Sequence, residues 1–382
     1  MKLLNCKLLQ IEEFYGTSIP KSYAILSHRW ELEEVTYKDL QTPGLGMTKA
    51  GWAKINDFCR IALDNGYEYG WVDTCCIDKR NLTELTEAIN SMFKWYANSS
   101  VCYAYLSDIL SGQPVENSLW FTRGWTLQEL IAPSRMMFFD KKWEFIGTRD
   151  SLGDFIQLRS RVDKEMLEDT ALPRNITNML STIPVARRMS WASERTTTRE
   201  EDRAYSLLGI FGVNMPMLYG EGSRAFMHLQ EEIAKETNDL SLFAWTRQEN
   251  SCANPANPSE GTTGAELPEE EGSKPCGILA TSPDEFRLSS DLVLKRDIMH
   301  NPEFTITNKG LKITIQATSS KDNIWRISLG CRRSDDSPED TIGIFSKRAR
   351  WRRIRPLGCS PSYSMARRSS RTRNYFLHQK IC

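Results

Sequence analysis

Glu129 stands four residues after Trp125 in the stretch Ser118-Leu-Trp-Phe-Thr-Arg-Gly-Trp-Thr-Leu-Gln-Glu-Leu130. If this stretch is a helix opened by Thr122, then Leu127, Leu130 and Ile131 share one face and Trp125 and Glu129 the opposite one. A flat aromatic surface and a carboxylate are then offered together, away from the core stripe. A second set of polar residues ends a series of apolar runs. Tyr23-Ala-Ile-Leu-Ser27 empties into His28-Arg29-Trp30, Tyr69-Gly-Trp-Val-Asp73 into Thr74-Cys-Cys-Ile-Asp78, and Val101-Cys-Tyr-Ala-Tyr-Leu106 into Ser107-Asp108. Arg29 and Arg123 carry forked donors that suit a pyrophosphate, and Trp30 and Trp125 offer planes on which a base can stack. Asp73, Asp78 and Asp108 are the oxygen donors a magnesium ion takes. Cys76 with His28 and Asp73 has the composition of a thiol nucleophile, although a cysteine after a strand is ordinarily a small buried hydrophobe. Each residue also has a plainer reading: a solvated helical Glu129, tryptophans in core or interdomain packing, Arg29 or Arg123 paired with Asp73 or Asp78, and a His28 that only steadies its loop.

The elements that must position these residues alternate. Short buried strands at 23–27, 69–73, 101–106 and 135–139 are separated by helical stripes: Trp52, Ile55, Phe58, Cys59 and Ala62, stopped by Asn65-Gly66, then Ile89, Met92, Phe93 and Tyr96, capped by Thr83. Such alternation implies right-handed crossovers and a parallel sheet covered on both faces, with ligands at the carboxyl ends of the strands. The expected organisation is an α/β domain over 1–148, a helical region over 149–246 and a Glu-, Pro- and Gly-rich linker over 247–276. A β-rich unit over 277–358 and a basic tail over 359–382 follow; residues 347–373 hold ten Lys or Arg and no acid.

Composition narrows the function. Across 382 residues the net charge is zero, so no global field draws in nucleic acid or a membrane. The ten cysteines are scattered and only four histidines are present, which is neither a secreted disulfide framework nor zinc-ligand spacing. Lys7 interrupts the first apolar run before it reaches signal-peptide length, and no run of ~18 apolar residues spans a bilayer. Together these features point to a cytoplasmic protein. No Walker-type loop and no Gly-x-Gly-x-x-Gly is present, so ATP hydrolysis and hydride transfer have no support.

Three blocks, Tyr23-Ala-Ile-Leu-Ser-His-Arg-Trp30, Trp71-Val-Asp-Thr-Cys-Cys-Ile-Asp78 and Trp120-Phe-Thr-Arg-Gly-Trp-Thr-Leu-Gln-Glu-Leu130, resemble in order and spacing the fungal heterokaryon incompatibility (HET) domain. The run from Arg199 to Phe211, through Met217-Leu-Tyr-Gly-Glu-Gly222 to Phe243-Ala-Trp245, resembles the segment that often follows it. The resemblance covers roughly residues 1–245. It implies non-self recognition and programmed cell death on fusion of incompatible cells, with self-association or other death-effector proteins as partners. It also implies a distant likeness to Toll/interleukin-1 receptor (TIR) domains, which have a flavodoxin-like sheet and in some branches cleave NAD. On that likeness Glu129 takes the catalytic role, and Ser27, His28, Arg29, Trp30, Asp73, Asp78, Arg123 and Trp125 surround the substrate. No metal or resident cofactor is expected. Glu31 and Lys79 stand where the HET pattern commonly has Gly and Gln, and they place opposite charges near any bound phosphate. The alternative is a non-enzymatic scaffold that acts by self-association.

Overall fold

The computed structural model describes residues 1–170, 174–246, 277–295, 302–307, 310–319, 325–338, 340–346, 349–352 and 372–377. Seven strands, β1 (Lys2–Asn5), β2 (Gln10–Glu13), β3 (Ala24–His28), β4 (Tyr69–Trp71), β5 (Val101–Tyr105), β6 (Met136–Phe139) and β7 (Phe145–Thr148), form one sheet in the order β2-β1-β4-β3-β5-β6-β7. The central four are parallel, with Ala24 opposite both Gly70 and Val101. β3 and β5 are buried at every position, as strands covered on both faces must be. Within this parallel core the first strand lies between the second and third, the flavodoxin-type winding. The winding changes direction between β3 and β5, and the crevice at their carboxyl ends is where such sheets bind ligands.

The sheet is mixed rather than wholly parallel. The leading segment, ahead of the first strand read from the sequence, is the β1–β2 hairpin, and β7 adds an unanticipated antiparallel strand at the other edge. Gln10-Ile-Glu-Glu13 shows no apolar alternation because it is an exposed edge; the register is set instead by Asn5, whose side-chain oxygen accepts from the amides of Lys7 and Leu8 in the turn.

Five helices belong to this unit: α1 (Tyr37–Gln41), α2 (Trp52–Asp64), α3 (Asp73–Cys76), α4 (Leu82–Asn98) and α5 (Thr126–Ile131). The expected stripes of α2 and α4 are buried apart from the half-buried Trp52, and Gly66, at φ +83°, follows the end of α2. The cap of α4 is Asn81 rather than Thr83, because the Asn81 carbonyl reaches two free amides, those of Thr83 and Glu84. Asp73 opens α3 instead of ending a strand.

Residues 153–236 are helical: α6 (Gly153–Ser160), α7 (Lys164–Leu167), α8 (Ile176–Ser181), α9 (Val185–Ser190), α10 (Asp202–Tyr205), α11 (Leu208–Phe211) and α12 (Arg224–Glu236). They are fused to the sheet unit. Thr196 donates to the Thr122 carbonyl and accepts from the Gly124 amide, at 2.7 and 2.9 Å, and the side chain of Asn90 exchanges two hydrogen bonds with the backbone of Met215. Gly209 of α11 lies so close to α4 that a Cβ there would sit 2.0 Å from the Phe93 Cβ. On α12, Phe226, Leu229 and Ile233 face inward and Ala234 is half-buried. Gln230 beside them mimics backbone by pairing both ways with Ala280.

The residues expected to form a linker, 247–276, lie outside the described set. Beyond them come β8 (Leu292–Leu294), β9 (Phe304–Thr307), β10 (Gly310–Ser319), β11 (Trp325–Ser328), β12 (Cys331–Arg333), β13 (Gly343–Ser346), β14 (Ala349–Arg352) and β15 (Thr372–Leu377). The β-rich reading thus holds for the alternating runs. Thr372–Leu377, inside the stretch read as a tail, pairs antiparallel with β10.

Gly209→Ala is expected to destabilise the protein by about 1–3 kcal/mol, since the opposing atom is a Cβ that moves only with its backbone. Gly153→Ala, where nothing lies within 4 Å, serves as the control and should stay within about 0.5 kcal/mol. Urea unfolding of the two variants beside wild type checks both.

Candidate functional site

Helix α5 brings Glu129 to the end of β3. The Ser27 hydroxyl donates to Glu129 Oε2 at 2.5 Å and accepts from the Trp120 indole N–H at 2.9 Å. Ser27 and Trp120 are fully buried and Glu129 is 7% exposed. All six residues of α5 are buried, so the expected division into a core face and a presented face does not hold. The helical region covers the second face and turns it into interior.

A six-residue helix is too short to hold itself, and its carbonyl end is built from outside. Arg149, with no exposed surface, donates to the carbonyls of Leu130 (2.7 Å) and Ser134 (3.3 Å) and to Asp169 (2.9 Å). Arg174 donates to the carbonyls of Ile131 (2.9 Å) and Pro133 (2.8 Å). At the other end Thr126 donates to the Trp120 carbonyl at 2.6 Å, which ties the helix start to the indole that holds Ser27.

Burial dominates the Glu129 carboxyl and pushes it up to about 8; the hydroxyls of Ser27 and Tyr96 and the cation of Arg123 oppose the rise, and Asp73 adds to it. At neutral pH the group therefore favours its protonated form. Such a displaced carboxyl at a strand-end crevice marks a candidate for chemistry.

Around the crevice the other predicted residues fall into two sets. Ser27 is interior, while His28, Trp30 and Asp73 meet beyond it, with Arg29 between the first two in the chain. The Trp30 N–H donates to Asp73 Oδ2 at 2.7 Å, and the Lys79 ammonium sits 3.2 Å from the centroid of the same indole. His28 is buried with neither ring nitrogen hydrogen-bonded, and its Nε2 lies 3.7 Å from Asp73 and 3.9 Å from Glu34. Burial, with Lys54 and Lys79 nearby, holds it well below the usual histidine range, so it is a neutral ring. Arg29 pairs with Asp108 at 3.3 Å rather than with Asp73 or Asp78.

The remaining three have partners outside this group. Asp78 takes a two-pronged bond from Arg80, at 2.8 and 2.8 Å, which holds it down at about 2. Arg123 reaches Thr198 at 3.3 Å, on the helical side. Trp125 is half-buried and its indole approaches Asp202.

The three acids proposed for magnesium are not gathered, and the Cys76 thiol is buried. Asp73, Asp78 and Asp108 are each committed to different partners, and among the described residues no group of three or more His, Cys, Asp or Glu is placed to hold a metal. Burial raises the Cys76 thiol well above its ordinary value, which leaves no thiolate. A cleft of about 430 Å³ at the junction of α12 and β9, lined by Ala234, Thr237, Asn238 and Phe304, includes none of the site residues.

Glu34, Lys54 and Tyr96 give no signal in the sequence. Lys54 is buried and donates to Glu34 at 2.6 Å, which anchors the loop carrying Trp30. A lysine and a tyrosine within the apolar stripes of α2 and α4 carry no local mark of that role.

Residues 23–114 match the family model "Heterokaryon incompatibility protein (HET)", and residues 224–320 match a domain of unknown function (DUF8212). The chain is 46% identical over 233 residues to the vegetative incompatibility protein HET-E-1 of Podospora anserina, a match that takes in 57% of this chain and 16% of that protein. The chain therefore spans about a sixth of that relative's length. No solved structure matches it. Among the described residues no helix is long and apolar enough to cross a membrane. The blocks that end β3 and β4 fall inside the matched segment, and residues 23–114 of this chain are a heterokaryon incompatibility (HET) domain.

Proposed function

We propose that this chain acts in heterokaryon incompatibility as a cytoplasmic cell-death effector, and that it does so by hydrolysing NAD with Glu129 as its catalytic carboxyl. The observation that carries the reading is the bond between Glu129 and Ser27 at the carboxyl end of β3, beside the switch point of the sheet. Nicotinamide leaves ribose through an oxocarbenium-like centre, and a carboxylate beside the ribose stabilises that charge and orients the sugar hydroxyls. Trp30, steadied by Asp73, supplies a plane for a base, and Arg29 lies beside it for a phosphate. NAD is the substrate in this reading, and no metal takes part.

A second reading has a specific observation in its favour. Glu129 is nearly closed off, and a ribose reaches it only after the surrounding loops part. A HET domain that works by assembling with copies of itself or with other death effectors needs no such opening. A TIR-like site is part of the first reading alone.

Nicotinamide release from NAD, followed with the protein dilute and at concentrations that promote assembly, should be seen in the wild type and fall on the order of 100-fold in Glu129→Gln. If the ionised form does the work, the rate climbs about tenfold per pH unit and levels above about 8. Two inert proteins, with the wild type still killing cells and self-associating, would leave the assembly reading in possession.

The same carboxyl sets a stability prediction. Between its ordinary value and about 8 the folded state keeps a proton that the unfolded chain has lost. Stability therefore falls as pH rises through that interval, by about 1.4 kcal/mol per unit, and flattens above it. Glu129→Gln lacks this slope, so in denaturant titrations it should match wild type near pH 4.5 and exceed it above pH 8.

A further inference from the structure

We infer that Arg195, contributed by the helical region, is a positioning residue for Glu129: it fixes the first turn of α5 and holds a buried positive charge toward the carboxyl. The inference rests on Glu129 being the working group.

Arg195 is 4% exposed, yet it follows a loop and belongs to no strand or helix of the sheet unit. Its Nη1 donates to the Arg123 carbonyl at 2.8 Å and to the Thr126 hydroxyl at 3.1 Å, and its Nε donates to the Trp191 carbonyl at 3.2 Å. Those of Arg123 and Thr126 form the approach to α5. Thr126 in turn bonds the Trp120 carbonyl, and Trp120 holds Ser27 on Glu129. Two runs of hydrogen bonds, joined through the covalent frame of Trp120, thus link a residue of the helical region to the carboxyl at the end of β3. The backbone beside it is clamped in the same place, where Thr196 pairs with Thr122 and Gly124.

Arg195 Nη2 is buried without a hydrogen-bond partner. An unused guanidinium donor in the interior is costly, and no acid forms an ion pair with this guanidinium among the described residues. Burial and the neighbouring Arg159 lower Arg195 to about 9, with Glu129 pulling the other way, so it stays cationic at neutral pH. The groups facing Glu129 are Ser27, Tyr96, Cys102, Asp73, Arg123 and Arg195. Of these Arg195 is the fully buried cation, screened least by solvent. When Glu129 ionises, Arg195 is positioned to stabilise the new charge without entering the crevice.

The test uses the full chain. With 15N-labelled arginine, and Arg195→Lys to assign the signal, the guanidinium resonance of Arg195 should move with a midpoint at that of the Glu129 carboxyl and stay still in Glu129→Gln. In Arg195→Met the carboxyl midpoint, read from the infrared band of 13C-labelled glutamate, should rise by about half a unit or more, and Arg195→Lys should return it. Where NAD is cleaved, kcat in Arg195→Met should drop on the order of tenfold with KM within about twofold. A wild-type resonance indifferent to the titration of Glu129 overturns the inference, and it needs no Arg195 variant to fold. An unchanged carboxyl midpoint in a folded Arg195→Met overturns it as well. If the resonances are coupled while the wild type releases no nicotinamide, the positioning role stands and the enzymatic reading falls. An active wild type without coupling removes the positioning role and leaves the enzymatic reading in place.

Discussion

The Glu129 carboxyl is taken out of water and handed to a serine hydroxyl that an indole already holds. That burial imposes a constraint on everything around it. A carboxyl group inside a protein is tolerated when it is hydrogen-bonded and able to keep its proton, so Ser27, Trp120 and Tyr96 have to be in register. Ser27 is in register because β3 is the central parallel strand with neighbours on both sides. Trp120 is in register because Phe121 and Phe138 pack edge-on against it. Arginines brought in from 149, 174 and 195 hold the helix that carries Glu129 at both ends.

This arrangement explains why the helical region is inseparable from the sheet unit. A sheet domain ending near residue 148 would leave the last carbonyls of α5 without Arg174 and its first turn without Arg195. Buried carbonyls lacking a donor cost about 1–3 kcal/mol each, so the site depends on chain well past the HET match at 23–114. Asp284, which takes two bonds from Arg203 at 2.7 and 2.9 Å, extends the same dependence beyond the helices.

At the mouth of the crevice charge is balanced locally. Lys54 answers Glu34, Lys79 lies over Trp30, and Asp73 accepts from that indole, while His28 stays neutral among them. Lys79, one of the two departures from the HET pattern, is thus part of the rim. Burial lowers its ammonium group while Asp73 and Glu34 raise it. The outcome is a rim of polar groups that are paired with one another.

Much of the architecture was legible in the chain itself. Apolar runs that stop at polar residues are what strands buried on both faces look like, and the stripes on α2 and α4 have the period that covers them; those patterns determined the α/β class and the place of Ser27 and His28 at the end of β3. The hairpin of β1 and β2 was hidden because a short edge strand need not alternate. Whether Glu129 met water or Ser27 could not be read from spacing, since helical period says which residues share a face and nothing about what covers it. Arg195 lies 66 positions from Glu129 in the chain, and Asp78 sits among site residues in sequence while Arg80 draws it away. Tertiary structure alone decided those outcomes, because burial and pairing are properties of what the rest of the chain packs around a side chain.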